Sequence, residues 1–181
     1  MKKTTIITIF LFALTLAFSF HAEAQKFPKM DVSPMDAAVY PSSSRNTSKL
    51  IKIVYSRPQL KSREVSSLAQ NGKVWRTGAN EATELTLYTD MKVGDTNVKA
   101  GTYTFYTIPG NNEWTAIIST DVNVWGSYSY NEANDVARIT VPCSNESESI
   151  EAFSIAFEEA DNGVDMHLGW GTVRVKVPFT K

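Results

Sequence analysis

From residue 50 to the C-terminus the chain repeats one pattern: a short run of alternating apolar and polar residues, then a turn signal. Side chains in an extended strand point to opposite faces in turn, so this period of two puts one face in a core and the other in water. Residues 50–55, 84–89, 102–108, 113–118, 136–141, 150–157, 164–170 and 172–178 carry it, with a shorter run near Val98. Between them stand Arg57-Pro58, Gly94-Asp95, Ala100-Gly101, Pro109-Gly110-Asn111-Asn112 and Asp161-Asn162-Gly163. Such residues stop ladders or take the backbone geometries that hairpins need. Residues 59–70 read as a loop or one helical turn, 124–130 as an aromatic loop or edge strand, and 144–149 as a solvated acidic loop. The count comes to about nine strands with no helix of three turns, which predicts an all-β fold: a single antiparallel β-sandwich, or a flattened barrel.

The chain before residue 50 is different. Lys2 and Lys3 precede a nearly continuous apolar run from Ile6 to Phe20, and Ala22-Glu23-Ala24 follows. A basic start, a short apolar core and an A-x-A site make residues 1–24 a signal peptide cleaved after Ala24. The apolar run is shorter than the ~20 residues that cross a bilayer. Residues 25–45 hold Pro28, Pro34 and Pro41 with no apolar period, and read as an irregular arm or edge segment. Residues 46–181 form the β domain. The expected product is exported, periplasmic or extracellular, with no membrane span in the mature chain.

An exported domain of this kind often relies on disulfides, but Cys143 is the only cysteine, so the core must suffice. As a nucleophile Cys143 would need His167, and nothing nearby activates it; a half-buried small residue is the simpler reading. The chain carries 18 basic and 19 acidic residues, and loss of Lys2, Lys3 and Glu23 leaves it more acidic. That balance argues against a nucleic-acid surface.

Residue types with site chemistry crowd into one stretch, Lys73-Val74-Trp75-Arg76-Thr77-Gly78-Ala79-Asn80-Glu81-Ala82-Thr83. It should be a loop leading into a strand, and loops on a rigid scaffold are where binding residues concentrate. Arg76 can clamp a carboxylate or phosphate, Trp75 can offer a stacking face, and Asn80 and Glu81 can hydrogen-bond sugar or amide groups. The structural alternative is as concrete: Trp75 fills core, Arg76 and Glu81 pair with neighbours, and Asn80 caps a turn. Arg57, Lys61 and Arg63 form a second basic group, either an anion site or an exposed loop.

Other chemistry is weaker. Glu81 and Glu84, three apart, would face opposite sides of a sheet, which disfavours a paired-carboxylate site. His167 has no second histidine in the mature chain, and no metal set or cofactor fingerprint is present. Trp114, Trp125 and Trp170 line a carbohydrate groove or fill core.

Val54-Tyr55-Ser56-Arg57-Pro58 with Lys61 and Arg63, then Gly72 to Thr83, resemble the domain of unknown function 2911 family. Ala100-Gly101-Thr102-Tyr103, Thr107-Ile108-Pro109, Trp114, Trp125-Gly126 and Asp135-Val136 continue the likeness in order. It spans Tyr40 to Phe179, and the run from Lys73 to Thr83 is its most specific part. The resemblance implies a single exported, β-rich domain of a kind frequent in Bacteroidetes. It brings no reaction, substrate or catalytic residue. Residues 41–45 and 64–71 depart from the family's pattern, where members often have a Ser-Pro pair and a glycine-containing apolar segment.

Three functions fit these observations. The first is a non-enzymatic module for a small polar or anionic ligand, a glycan or peptide fragment, lined by Arg57, Arg63, Trp75, Arg76, Asn80 and Glu81. The second is a hydrolase-like enzyme using Glu81 as acid or base with Arg76 polarising an oxygen. The third is a structural or partner-binding envelope protein in which the stretch is only a fold signature. The lack of a histidine, cysteine or metal set beside the stretch tilts the balance from catalysis towards binding or scaffold.

Overall fold

The computed structural model describes residues 25–181, so the expected signal peptide and its expected cleavage after Ala24 lie outside the described residues. The chain divides into two units, Met1–Met30 and Asp31–Lys181. The described part of the first, residues 25–30, is exposed coil.

The second unit is one antiparallel sheet of nine strands. They are β1 (Met35–Tyr40), β2 (Ile51–Ser56), β3 (Thr83–Leu87), β4 (Met91–Val93), β5 (Thr96–Val98), β6 (Gly101–Ile108), β7 (Glu113–Ser119), β8 (Asp135–Ala160) and β9 (Gly163–Thr180). Their order is β1-β2-β3-β6-β7-β8-β9-β4-β5, and the sheet is not closed into a barrel. The one α-helix among the described residues, α1 (Val65–Leu68), is a single turn. The all-β antiparallel expectation therefore holds, and the alternating residues do what their period requires. Thr83, Leu85 and Leu87 are buried while Glu84 and Thr86 between them are half-exposed. Ile51, Ile53 and Tyr55 form the inward row of β2.

Three details differ from the sequence pattern. Residues 35–40, inside the stretch read as an irregular arm or edge segment, form a regular strand, β1, at one edge, paired with β2 from Met35↔Ser56 to Tyr40↔Ile51. Residues 136–141 and 150–157 belong to one strand. The stretch 144–149 is solvated as expected, yet stays extended as the irregular middle of β8, with register shifts between Asn145 and Ile150 and between Ile150 and Ser154. Its serines and Asn145 are compatible with a turn, but it has no glycine or proline to break the extended backbone. Residues 164–170 and 172–178 likewise form one strand, β9, with Gly171 at φ +55° within it.

The length of β8 organises the fold. Its first half pairs with β7 and its second with β9. The segment leaving β2 then ties back to that second half. Leu60 N–H donates to the Glu151 carbonyl at 3.0 Å and Phe153 N–H to the Pro58 carbonyl at 2.9 Å. Ile155 N–H donates to the Tyr55 hydroxyl at 2.9 Å. Between these parts lies a core of four large aromatic rings. Trp75 stacks on Trp170 at 5.4 Å and meets Phe153 and Trp114 edge-on at 5.1 and 6.1 Å.

Candidate functional site

The stretch from Lys73 to Thr83 joins the helical turn to β3 and pairs with β6 at both ends, Trp75 with Thr107 and Thr83 with Phe105. Trp75 exchanges two backbone hydrogen bonds with Thr107 of β6, at 2.7 and 3.0 Å. The chain then reverses through Thr77 and Asn80, both left-handed, at φ +54° and +60°. A β-branched residue resists that conformation, which costs on the order of 1–3 kcal/mol. Thr77 is held there by bonds on both sides. Its hydroxyl lies 3.0 Å from that of Thr107, and its carbonyl accepts the Thr83 hydroxyl at 2.8 Å. Gly78 passes so close to β2 that an added methyl would sit 3.0 Å from the Ser56 carbonyl oxygen.

The stretch is knitted to the aromatic loop between β7 and β8. Ala82 N–H donates to the Val124 carbonyl at 2.9 Å, Gly126 N–H to the Asn80 carbonyl at 3.0 Å, and the Ser127 hydroxyl to the Val74 carbonyl at 2.9 Å. Glu81 and Trp125 form an isolated antiparallel bridge. A cleft of about 330 Å³ opens between the two segments, with Lys73, Val74, Trp75, Arg76, Ser127 and Tyr128 in its wall. Arg76 is half-buried, and its Nη1 donates to the Asn80 carbonyl at 3.3 Å. Among the described residues no carboxylate lies within ion-pair distance of Arg76 or Lys73.

The six candidate residues do not share one site. Trp75 and Arg76 line this cleft, although the Trp75 ring is 8% exposed and spent mostly on the aromatic core. Asn80 serves the junction through its carbonyl. Glu81 is exposed beside Trp125 and lines no cavity described here. Arg57 braces β1 against β8: Nε donates to the Phe153 carbonyl at 3.0 Å, Nη2 to the Ser154 hydroxyl at 2.6 Å, and Nη1 pairs with Asp36 at 3.0 Å. Arg63 lines a separate cavity of about 570 Å³ with Glu64, Asn71, Asn111, Asn145 and Glu151. Its Nε and Nη2 already donate to the Leu60 and Gln59 carbonyls.

The cleft contains residues that the motif did not single out. Tyr128 is 84% exposed, and Trp125 on the same loop is 58% exposed, whereas Trp114 and Trp170 are buried. The run of aromatic residues around Gly126 was the available signal. Cys143 is free, donates towards the Asn111 carbonyl at 3.5 Å, and burial pushes its thiol up, away from the nucleophilic form.

Behind the aromatic loop sits a buried polar cluster that was not foreseen. Asp135 accepts the Tyr130 hydroxyl at 2.7 Å and pairs with Arg138 at 3.0 Å. The Tyr106 ring meets Tyr130 edge-on at 5.3 Å. The Tyr106 hydroxyl, Asp121 Oδ2 and Asp135 Oδ1 are buried without partners among the described residues. Burial, then the charges of Asp121 and Asp135, push Tyr106 up to about 12. Burial also raises Asp135, against the opposing pull of Tyr130 and Arg138.

A family model described as a protein of unknown function (DUF2911) matches residues 33–179. The chain belongs to the DUF2911 family. The DUF2911 match takes in every strand of the sheet and both segments that wall the cleft. Neither the curated proteins nor the solved structures contain a match to this DUF2911 chain. Among the described residues no helix is long and apolar enough to cross a membrane, and no group of three metal-ligating side chains occurs.

Proposed function

We propose that this protein, exported as residues 1–24 suggest, binds a small anionic ligand, a glycan or peptide fragment, in the cleft of Lys73 and Arg76 without transforming it. The observation that carries this reading is the pairing of two cations in one cleft with no carboxylate beside either among the described residues. Among the described residues Arg76 Nε and Nη2 have no hydrogen-bond partner, and a guanidinium edge of that kind can grip a carboxylate or phosphate by two parallel bonds. The cleft's walls are fixed by the hydrogen bonds between the stretch and the loop, so little ordering is left for the ligand to impose. Catalysis by Glu81 is less well supported, because its carboxylate does not line the cleft and Arg76 turns to the Asn80 carbonyl. The test is a thermal-shift panel of small anions on the wild type and on Lys73→Ala and Arg76→Ala. A stabilising ligand whose effect disappears in both variants supports the site. No shift with any anion in the wild type overturns it.

A further inference from the structure

We infer that the ligand of this cleft is an acidic sugar, a pyranose ring that lies on Tyr128 and directs its carboxylate to Lys73 and Arg76; this rests on the anion-binding reading above. A bare anion needs only the cations, so Tyr128 is the residue to explain. Its ring is 84% exposed, yet it is not a loose side chain on a loose loop. Gly126 turns the chain at φ +69°, and a methyl there would lie 2.5 Å from Tyr128 Cε2 and 3.3 Å from Arg76 Nη1. The ring thus lies against the backbone with the guanidinium close by. Three hydrogen bonds from the Lys73–Thr83 stretch hold the loop beneath it.

A pyranose suits such a surface. One face of the ring presents C–H groups, which leave water on stacking against an aromatic ring, while the hydroxyls stay at the rim. A volume of about 330 Å³ sits at the low end of the roughly 300–1,000 Å³ typical of small-ligand sites, so it admits one ring rather than a chain. A ring carboxylate then meets the free edge of Arg76 and the Lys73 ammonium. Peptide carboxylates share the charge but not the flat C–H face that Tyr128 offers.

Calorimetric or NMR titration of the protein with glucuronate, glucose and inorganic phosphate tests this. Lys73 and Tyr128 are exposed, so Lys73→Ala and Tyr128→Ala leave the fold intact, which the NMR spectrum verifies. Glucuronate should bind about tenfold more tightly than glucose, the difference that one charge-assisted contact makes. Tyr128→Ala should weaken glucuronate several-fold and leave phosphate unchanged, while Lys73→Ala should weaken both. Equal affinity for glucose and glucuronate would overturn the acidic assignment. Phosphate binding that matches glucuronate, with neither sensitive to Tyr128→Ala, would overturn the sugar and keep the anion site. Absence of binding by all three, where the anion panel still yields a ligand, overturns the sugar alone; a panel that is also blank removes both readings.

Discussion

Asp135 and Arg138 stand on one face of β8, with Asp135 Oδ2 3.0 Å from Arg138 Nε. Three residues apart, they would face opposite ways in a regular strand. The ladder explains the exception: Ile118 pairs with Ala137 and Ser119 with Asp135, so Val136 is passed over as a bulge. The bulge delivers the carboxylate to the buried cluster under the aromatic loop, where burial raises its pKa.

That shift has a sign in stability. An acid whose folded pKa exceeds its unfolded value holds its proton more tightly in the native state. Its contribution is complete below the ordinary value of 3.8 and is lost as pH rises through the higher folded value. Asp135→Asn cannot ionise but still accepts from Tyr130. Melting curves of the two proteins should therefore diverge in slope from pH 3.8 upwards, the wild type losing stability relative to the variant as Asp135 ionises. Parallel curves across that range would show that the carboxylate titrates normally.

Tyr106 brings a different expectation. Its hydroxyl is buried with no partner among the described residues, so the protein bears a desolvation cost and receives no bond in return. Tyr106→Phe keeps the ring against Tyr130 and deletes only that oxygen. Urea unfolding should show the variant more stable by about 1 kcal/mol, the low end of what an unsatisfied buried polar group costs. A loss of similar size would mean that the hydroxyl is satisfied in solution.

Gly78→Ala should do the reverse. The new methyl would stand 3.0 Å from the Ser56 carbonyl oxygen and 3.2 Å from the Thr83 hydroxyl, and neither belongs to a side chain free to swing away. Overpacking of this kind costs about 1–3 kcal/mol. The loss should appear in thermal unfolding, with weaker anion binding in the cleft, since Arg76 lies two residues before the displaced backbone.

Elements that bury one face were legible in the sequence, because burial writes an alternating pattern into the residues. The middle of β8 was not: residues 144–149 are exposed throughout, so no face constrains them and nothing in their pattern distinguishes a strand from a loop. The same limit applies to the tryptophans. Trp75, Trp114, Trp125 and Trp170 look alike as letters, yet only Trp125 is exposed, because its loop crosses outside the sheet. The Lys73–Thr83 stretch was visible as a chemical crowd. Its division of labour was not, since it depends on what each side chain meets in the fold: the aromatic core for Trp75, the Asn80 carbonyl of the same stretch for Arg76, and the Trp125 loop for Glu81.

An open sheet leaves two rims, each a row of backbone groups to which a neighbouring copy could add strand upon strand. Here β5 is only three residues long. On β1, Asp36 sets a carboxylate at the rim, where it takes the Ala37 N–H at 2.8 Å and the Arg57 guanidinium at 3.0 Å. A short rim on one side, and a charged, already hydrogen-bonded one on the other, give a second copy little to template on. The Arg57–Asp36 pair thus fills that rim with paired charge while it braces the fold.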